Sequence, residues 1–159
     1  MIIEEIIRKA LEEDIGNGDH TSLATIPAHA TGKSKLIIKE PGILAGVEIA
    51  RLVFKQVDPA IQFKLMIHDG SPVKRGDIAF YVSGPSRSLL VAERLALNFM
   101  QRMSGIATTT SELVKLTEGT GAKILYTRKT TPLLRELEKM AVRLGGGENH
   151  RMGLYDMIM

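Results

Sequence analysis

The sequence predicts an α+β domain, with helices packed on one face of a mainly antiparallel sheet, followed by the beginning of an α/β barrel or a doubly wound sheet. Before residue 104, helical patterns occur together with short strands and hairpin turn signals. From residue 105 onward the order is helix, strand, helix and another apolar run, which is typical of α/β folds. We therefore predict two domains, residues 1–103 and residues 104–159.

The first 84 residues contain two helical and several strand patterns. Apolar residues at helical spacing predict helices over 2–13 and around 46–56. Alternating and β-branched residues predict strands over 33–40 and 62–67, with a short strand between them near residue 43. Turn signals in HDGSPVKRGDIAFYVSG (68–84) predict a hairpin-rich segment.

Polar residues at the end of the first helix have the composition of turns and caps. In EEDIGNGDHTS (12–22), glycines break the helical pattern, and Asp19 or Thr21 can cap the next element. We interpret both residues, together with Asp14, as structural. The histidines His20, His29 and His68 lack the spacing of a metal site.

The strongest helical pattern begins at Ser86 and continues to about Met103. Its apolar stripe includes several methionines, which we interpret as core residues. Ser104-Gly105 is a plausible break, after which we expect a second helix that ends near Glu118.

The apolar segment KILYT (123–127) predicts a strand that ends directly at Arg128. A helix follows, with Pro132 expected at its first position and a run of three glycines at its end. On this helix we expect the following apolar residues to face inward: Leu133, Leu134, Leu137, Met140 and Ala141. The final residues, MGLYDMIM (152–159), predict another strand.

The composition indicates an ordinary folded protein with its positive charge in one segment. The net charge is +3, but residues 94–151 hold 10 Lys and Arg against 5 Asp and Glu, whereas residues 1–93 hold 11 against 12. A localised positive potential attracts phosphates, carboxylates or nucleic acid. The sequence has no cysteine, which excludes disulfides, thiolate metal sites and a cysteine nucleophile.

No apolar run has the length of a membrane span, and the acidic, amphipathic N-terminus is unlike a signal peptide. We therefore expect a cytoplasmic protein without a membrane partner. Aromatic residues are not interleaved with the cations of the basic segment, so a stacking platform for single-stranded nucleic acid is poorly supported. We expect no nucleic-acid partner.

Four cations follow the predicted strand KILYT (123–127) and the glycine run. Arg128 and Lys129 end the strand, and His150 and Arg151 follow the glycines. Arginine can bind a carboxylate or phosphate through two parallel hydrogen bonds, and lysine adds a point charge. The glycines allow close approach of the backbone to a ligand, or they simply end a helix. The spacing alone leaves an anion pocket and an ordinary charged surface equally open.

Several segments resemble the family of quinolinate phosphoribosyltransferase. The most specific is TRKTTPLLRELEKMAVRLGGGENHRMGLYD (127–156). EEDIGNGDHTS (12–22), GILAGVEIA (42–50) and ERLALNFMQRMSGIAT (93–108) are similar as well, and occur in the same order. The resemblance implies that the second domain begins an α/β barrel rather than a doubly wound sheet.

The resemblance also implies a reaction of NAD biosynthesis. Quinolinate and phosphoribosyl pyrophosphate give nicotinate mononucleotide, pyrophosphate and carbon dioxide, with Mg²⁺ accompanying the pyrophosphate. Both substrates are multiply anionic, which explains why cations that repel one another share a cleft.

The family's binding residues match individual positions of this sequence. Arg128, His150 and Arg151 match residues that bind the carboxylates of quinolinate, and Lys129 matches one near phosphoribosyl pyrophosphate. Arg94 matches an arginine that reaches the active site of the other subunit, which implies a homodimer or higher homo-oligomer. No catalytic residue is assigned. We interpret the other cations of this segment as surface or helix-packing charges, namely Arg102, Arg135, Lys139 and Arg143.

Three features depart from the family. Leu133 stands where glycine is usual, and Leu144 where a small or sulfur-containing residue is common. The family chain also continues further, with the carboxylates that hold magnesium beyond the position of Met159. A closed barrel needs roughly 250 residues. We therefore expect an incomplete barrel, no metal ligand within this chain, and little or no turnover by the 159 residues alone.

Two alternatives to this function remain. The chain could belong to a related phosphoribosyltransferase-like paralogue, such as the molybdenum-transport-associated one, with another anionic substrate. It could also be a non-catalytic module that binds an anion or dimerises, and a nucleic-acid version of that idea predicts steep salt dependence.

Overall fold

The structure, a computed structural model, describes residues 3–158. Ile2 and Met159, predicted at the ends of a helix and a strand, lie outside this range. The elements, in chain order, are α1 (Ile3–Ile15), α2 (His20–Thr25), β1 (Thr31–Ile37), β2 (Gly42–Ile43), α3 (Val47–Val57), β3 (Gln62–Leu65), β4 (Pro72–Val73), β5 (Ile78–Pro85), α4 (Ser86–Leu116), β6 (Leu125–Tyr126), α5 (Arg135–Leu144) and β7 (Glu148–Asn149). No helix in the described range is long and apolar enough to cross a membrane.

The first part of the chain is the predicted α+β arrangement. Strands β1, β5 and β3 form a three-stranded antiparallel sheet in that order, and β2 pairs separately with β4. The rings of Phe54, on α3, and Phe63 and Phe80, on the sheet, pack together with centroid distances of 4.5–6.1 Å. This aromatic contact joins the helical layer to one face of the sheet.

Side chains cap two helices early in the chain. The Asp19 carboxylate accepts a hydrogen bond from Ser22 N at 3.0 Å, which confirms the predicted cap. Hydrogen bonds from Ser22 and from the backbone of Thr21 lower the pKa of Asp19. The N–H groups of Val47 and Glu48, in the first turn of α3, donate to the Asp69 carboxylate at 2.8 and 3.2 Å. The hairpin-rich segment thus holds the start of α3 in place.

Helix α4 is one continuous helix of 31 residues, so the predicted break at Ser104-Gly105 is wrong. Its buried stripe, which includes Met100 and Met103, packs on α3 and confirms the interpretation of the methionines as core residues. The two helices come close at Gly46, which has φ +94°, because an added Cβ there would lie 3.2 Å from Met100 Cα. Since α4 runs through residues 103 and 104, the proposed domain division remains a prediction.

The last part of the described chain is a β–α–β unit. Strands β6 and β7 are parallel, and α5 lies between them in sequence. Helix α5 packs on the second half of α4, where Gly145 fits because an added Cβ would lie only 2.3 Å from Ala107 O. A parallel pair joined by a helix is the repeating unit of α/β barrels. The predicted fold class is confirmed.

Three sequence predictions fail in this part. Helix α5 begins at Arg135 and not at Pro132, because Leu133 has φ +67° and ends any helical path there. Leu133 is 70% exposed and does not face inward. The final apolar run forms bends and turns rather than a strand over the residues described, with Leu154, Tyr155 and Ile158 exposed.

Candidate functional site

The site begins with the parallel pairing of β6 and β7. Tyr126 lies opposite Asn149 in the register. The His150 N–H donates to Tyr126 O at 3.1 Å, and the Glu148 N–H donates to Ile124 O at 2.9 Å. Because both strands run in the same direction, their carboxyl ends meet at one edge. The cations that follow each strand therefore start from neighbouring points of the backbone.

Arg128 and Lys129 follow β6 in different environments. Arg128 is half-buried, and its Nε is buried without a hydrogen-bond partner among residues 3–158. A buried guanidinium N–H without an acceptor is costly. Lys129 is exposed. The structure thus provides one partly desolvated and one solvated cation after this strand.

His150 and Arg151 follow β7, and both are half-buried. The backbone of His150 is fixed at both ends, since its N–H donates to Tyr126 O and its carbonyl accepts from Lys139 Nζ at 3.0 Å. Arg151 Nη1 donates to the Met157 carbonyl at 3.1 Å. The imidazole of His150 extends from a well-held backbone, whereas Arg151 contacts the irregular segment after it.

Arg94 does not join this group within the single chain. It is exposed on α4, and no salt bridge to it occurs in the described range. Arg102, which does contact the loop after β6, is eight residues further along the same helix, or about 12 Å at 1.5 Å per residue. The predicted role of Arg94 in the site of another subunit remains a prediction.

A buried carboxylate, Glu138, connects α4 and α5 with the loop after β6. Glu138 is 2% exposed and forms a salt bridge with Arg102. It also accepts hydrogen bonds from the Tyr126 hydroxyl at 2.8 Å and from Thr131 N at 3.3 Å. Arg102 donates to the hydroxyl of Thr131 as well. These contacts hold the loop that contains Arg128 against the helices.

The Glu138 contacts shift two pKa values. Burial raises the pKa of Glu138, but the hydrogen bonds from Arg102, Tyr126 and Thr131 outweigh it and leave the pKa below its ordinary value. Burial, reinforced by the neighbouring Glu138, raises the pKa of Tyr126 to about 12. The carboxylate is therefore ionised and the phenol is a proton donor throughout the neutral range.

Lys139 is the other charged residue that α5 buries. It is 1% exposed, and its Nζ donates to Tyr126 O at 3.1 Å and to His150 O at 3.0 Å. Burial lowers the pKa of Lys139, and repulsion from Arg135 lowers it further. The Lys139 carbonyl accepts a 2.7 Å hydrogen bond from the Asn149 side chain. The ammonium group therefore lies between the carboxyl ends of the two strands.

Arg135, in the first turn of α5, supports the same edge. Its Nε donates to the Thr130 hydroxyl at 3.0 Å, and its Nη1 donates to the Met152 carbonyl at 3.0 Å. These contacts tie the loop after β6 to the segment after β7.

Sequence reasoning missed this supporting network. It interpreted Arg102, Arg135, Lys139 and Arg143 as surface or helix-packing charges, and of these Lys139 is fully buried and Arg102 neutralises a buried carboxylate. A usable signal was present, since Glu138 occupies the same helical stripe as Leu134, Leu137 and Ala141. A charged residue within an apolar stripe indicates a buried, paired charge.

No group of three His, Asp or Glu side chains within residues 3–158 is arranged to hold a metal ion. A groove of about 540 Å³ lies elsewhere, between the β1–β2 segment and α4.

Comparison with known protein families assigns the chain. The family model described as the N-terminal domain of quinolinate phosphoribosyl transferase matches residues 19–104, and that of its C-terminal domain matches residues 106–159. The chain belongs to the quinolinate phosphoribosyl transferase family.

Curated relatives of the quinolinate phosphoribosyl transferase family agree. The chain is 46% identical over 158 residues to "quinolinate phosphoribosyltransferase [decarboxylating] 2b, mitochondrial" of Nicotiana tabacum, covering 99% of this chain and 44% of the relative. It is 44% identical to the nicotinate-nucleotide pyrophosphorylase of Mycobacterium leprae, covering 96% of this chain and 55% of the relative. The chain thus spans about half the length of the curated relatives it matches, or less.

Solved structures of quinolinate phosphoribosyl transferase relatives share the fold. NadC from Streptococcus pyogenes matches with a TM-score of 0.95 and 41% identity, covering 98% of this chain and 55% of that one. Human nicotinic acid phosphoribosyltransferase matches with a TM-score of 0.63 at 16% identity, covering 92% of this chain and 35% of that one, which shows a common fold only.

Proposed function

We propose that the whole protein converts quinolinate and phosphoribosyl pyrophosphate to nicotinate mononucleotide, pyrophosphate and carbon dioxide. Relatives from both plants and bacteria bear names for this enzyme. The observation that carries the proposal is the parallel β6–β7 pair, which starts Arg128 and His150 from one edge. In α/β barrels, ligands bind at the carboxyl ends of the strands.

In this proposal the cations bind a pyridine diacid. The half-buried guanidinium of Arg128 would donate to one carboxylate of quinolinate, with His150 and Arg151 supplying further donors. Lys129, which is exposed, would contact the phosphoribosyl group. Binding by charged donors fixes the pyridine nitrogen opposite the ribose, so orientation is the contribution of these residues.

The reaction then has two steps. The pyridine nitrogen forms a bond to C1 of the ribose while the bond from C1 to pyrophosphate breaks. The bond from C2 to its carboxylate then breaks and carbon dioxide leaves. The positive charge on the ring nitrogen stabilises the electron pair left at C2, and C2 takes up a proton from solvent to give the product. A cation beside the departing carboxylate must bind it without preventing its loss, which favours a mixture of half-buried and solvated donors over a fully buried one.

Three further parts of the proposal concern the metal ion, the second subunit and the cellular location. Mg²⁺ would accompany phosphoribosyl pyrophosphate and offset pyrophosphate charge, and we assign it no ligand in residues 3–158. Arg94 would reach the site of a second copy, so we propose a homodimer or higher homo-oligomer. We propose a cytoplasmic location, whereas some plant relatives are named as mitochondrial or chloroplastic.

Calorimetric titration of the 159-residue chain with quinolinate tests this function. Arg128→Met should weaken binding by about 2–5 kcal/mol, the usual effect of removing one partner of a buried charge pair. Arg143→Met is the matched control, because Arg143 is an exposed arginine at the end of α5. Absence of binding by the unaltered chain, or equal binding by the two variants, would contradict the proposal.

The same titration separates the two alternatives. A phosphoribosyltransferase-like paralogue would bind another anion in preference to quinolinate. A nucleic-acid module would bind DNA or RNA with steep salt dependence, and quinolinate would not compete.

A further inference from the structure

A buried lysine of α5, Lys139, lies against the carboxyl ends of β6 and β7, and no substrate contact is assigned to it. Lys139 is 1% exposed on α5, yet its ammonium group donates to the carbonyls of Tyr126 and His150, the residues where β6 ends and where the site begins after β7. A buried ammonium is costly unless its donors are satisfied. A methionine or leucine would fill the same space without that cost, so packing alone does not explain the lysine.

The ladder beside Lys139 is unusually short. Each of β6 and β7 has only two residues, and the last ladder bond is the one from His150 N to Tyr126 O. The same Tyr126 carbonyl therefore accepts from both His150 and Lys139. Two residues of strand provide few hydrogen bonds, so the relative position of the two strand ends depends strongly on the side chain that bridges them.

Arg128 lies two residues beyond Tyr126, and Arg151 lies two residues beyond Asn149, the partner of Tyr126 in the register. A shift of one strand end relative to the other would move the donors of one segment away from those of the other. A ligand with two adjacent carboxylates is sensitive to that shift, because it must meet both segments at once. A ligand with one carboxylate can be bound by one segment alone.

We propose that Lys139 is a positioning residue, whose ammonium group fixes the end of β6 relative to that of β7 so that Arg128 and His150 can bind the two carboxylates of one ligand. This inference rests on the proposed function for the identity of the ligand. The bridging of the two strands does not depend on it. The positive charge of Lys139, beside the carbonyls of Tyr126 and His150, also adds to the attraction of the neighbouring cations for an anion.

The first test compares a dicarboxylate with a monocarboxylate. Quinolinate and nicotinate are titrated into the unaltered chain, Lys139→Met and Lys123→Met. Lys123 is the matched control, because it lies just before β6, pairs with Glu148 at 2.6 Å and is exposed. In Lys139→Met the preference for quinolinate over nicotinate should fall about tenfold, the effect of losing a charge-assisted hydrogen bond.

A general loss of folded protein would weaken both ligands by the same factor and leave this preference unchanged. An unchanged preference in folded Lys139→Met would therefore overturn the positioning role. Lys139→Arg, which keeps the charge and the donors, should retain most of the preference.

The second test needs no ligand. Amide hydrogen exchange of His150 N–H reports the bond to Tyr126 O, and its protection should fall about tenfold in Lys139→Met, since a locally opened bond exchanges faster. Lys123→Met should keep the protection of the unaltered chain. If Lys139→Met does not fold, Lys139→Gln, which is neutral but retains N–H donors, takes its place.

The two tests together distinguish the two proposals. If quinolinate does not bind the unaltered chain but His150 loses protection in Lys139→Met, the proposed function fails and the bridge stands. If quinolinate binds and neither preference nor protection changes, the bridge is wrong and the proposed function stands.

Discussion

Two single residues show how local chemistry departs from the simple pattern of the sequence. Leu133 has a left-handed backbone conformation at φ +67°, although its side chain is exposed and gains little from burial. Glu138 is a buried acid that is stable only because three groups donate to it. The backbone conformation of Leu133 costs free energy that no evident local contact offsets. The burial of the Glu138 carboxylate also costs free energy, but its hydrogen-bond partners offset it.

Leu133→Gly should stabilise the protein. The left-handed conformation costs a non-glycine residue about 1–2 kcal/mol, and glycine avoids that cost while losing some chain entropy. We expect a net gain of about 1 kcal/mol in the free energy of unfolding, measured by urea denaturation. Leu90→Gly is the control, because Leu90 is a similarly exposed leucine within α4, where glycine should cost about 1 kcal/mol. A loss of stability in Leu133→Gly would contradict the strain argument.

Glu138 should make the protein acid-sensitive. Its pKa in the folded state is below the ordinary glutamate value of 4.5, so its ionised form favours folding. That contribution is fully present above pH 4.5 and is lost as the pH falls through the lower, folded-state pKa. Glu138→Gln should therefore show a shallower decline of melting temperature below that pH.

A residual acid dependence should remain in Glu138→Gln, because hydrogen bonds also lower the pKa values of Asp19 and Asp58. The half-exposed Glu5, paired with Lys9, provides the control variant Glu5→Gln. Identical declines in Glu138→Gln and in Glu5→Gln would show that the buried carboxylate is not the sensitive group.

At the scale of elements, α4 decides the relation between the sheet and the β–α–β unit. Its first part packs on the α+β layer, and its second part contacts α5. Arg102, on its middle turns, reaches Glu138 and the loop just after Arg128. Because α4 is one continuous helix, the loop that contains Arg128 has a fixed position relative to the core of the first domain.

Two glycines near α4 should respond oppositely to the same change. An added Cβ at Gly105 meets nothing within 4 Å, so Gly105→Ala should stabilise the helix interior by about 1 kcal/mol. An added Cβ at Gly145 would lie 2.3 Å from Ala107 O, so Gly145→Ala should destabilise by about 1–3 kcal/mol. Thermal unfolding of both variants measures this, and equal effects would contradict the packing of α5 on α4.

At the scale of the whole molecule, binding and turnover should separate. The cations that we propose for quinolinate lie within the 159 residues, whereas the chain spans only 44% of the length of its tobacco relative. We expect the purified chain to bind quinolinate but to form no nicotinate mononucleotide when phosphoribosyl pyrophosphate and Mg²⁺ are added. Chromatographic detection of that product would contradict this expectation.

The sequence predicted most regular elements because their patterns are local. Helices α1 and α3 and the strands of the antiparallel sheet follow from apolar spacing, and the Asp19 cap follows from a short polar motif. The resemblance to the family was identified mainly from the amino-acid sequence of residues 127–156. The break at Ser104-Gly105 was wrong because a single glycine costs only about 1 kcal/mol, which the packing of α4 on both sides outweighs.

The sequence by itself thus determined that Arg128 and Lys129 follow a strand and that His150 and Arg151 follow the glycine run. Only the tertiary structure decided that a strand, β7, precedes His150 and pairs in parallel with β6, that Lys139 bridges the ends of the two strands, and that Glu138 is buried against Arg102. The physical reason is that burial of a charge depends on partners distant in sequence. Arg102 and Glu138 are 36 positions apart in the sequence, and no local pattern specifies their contact.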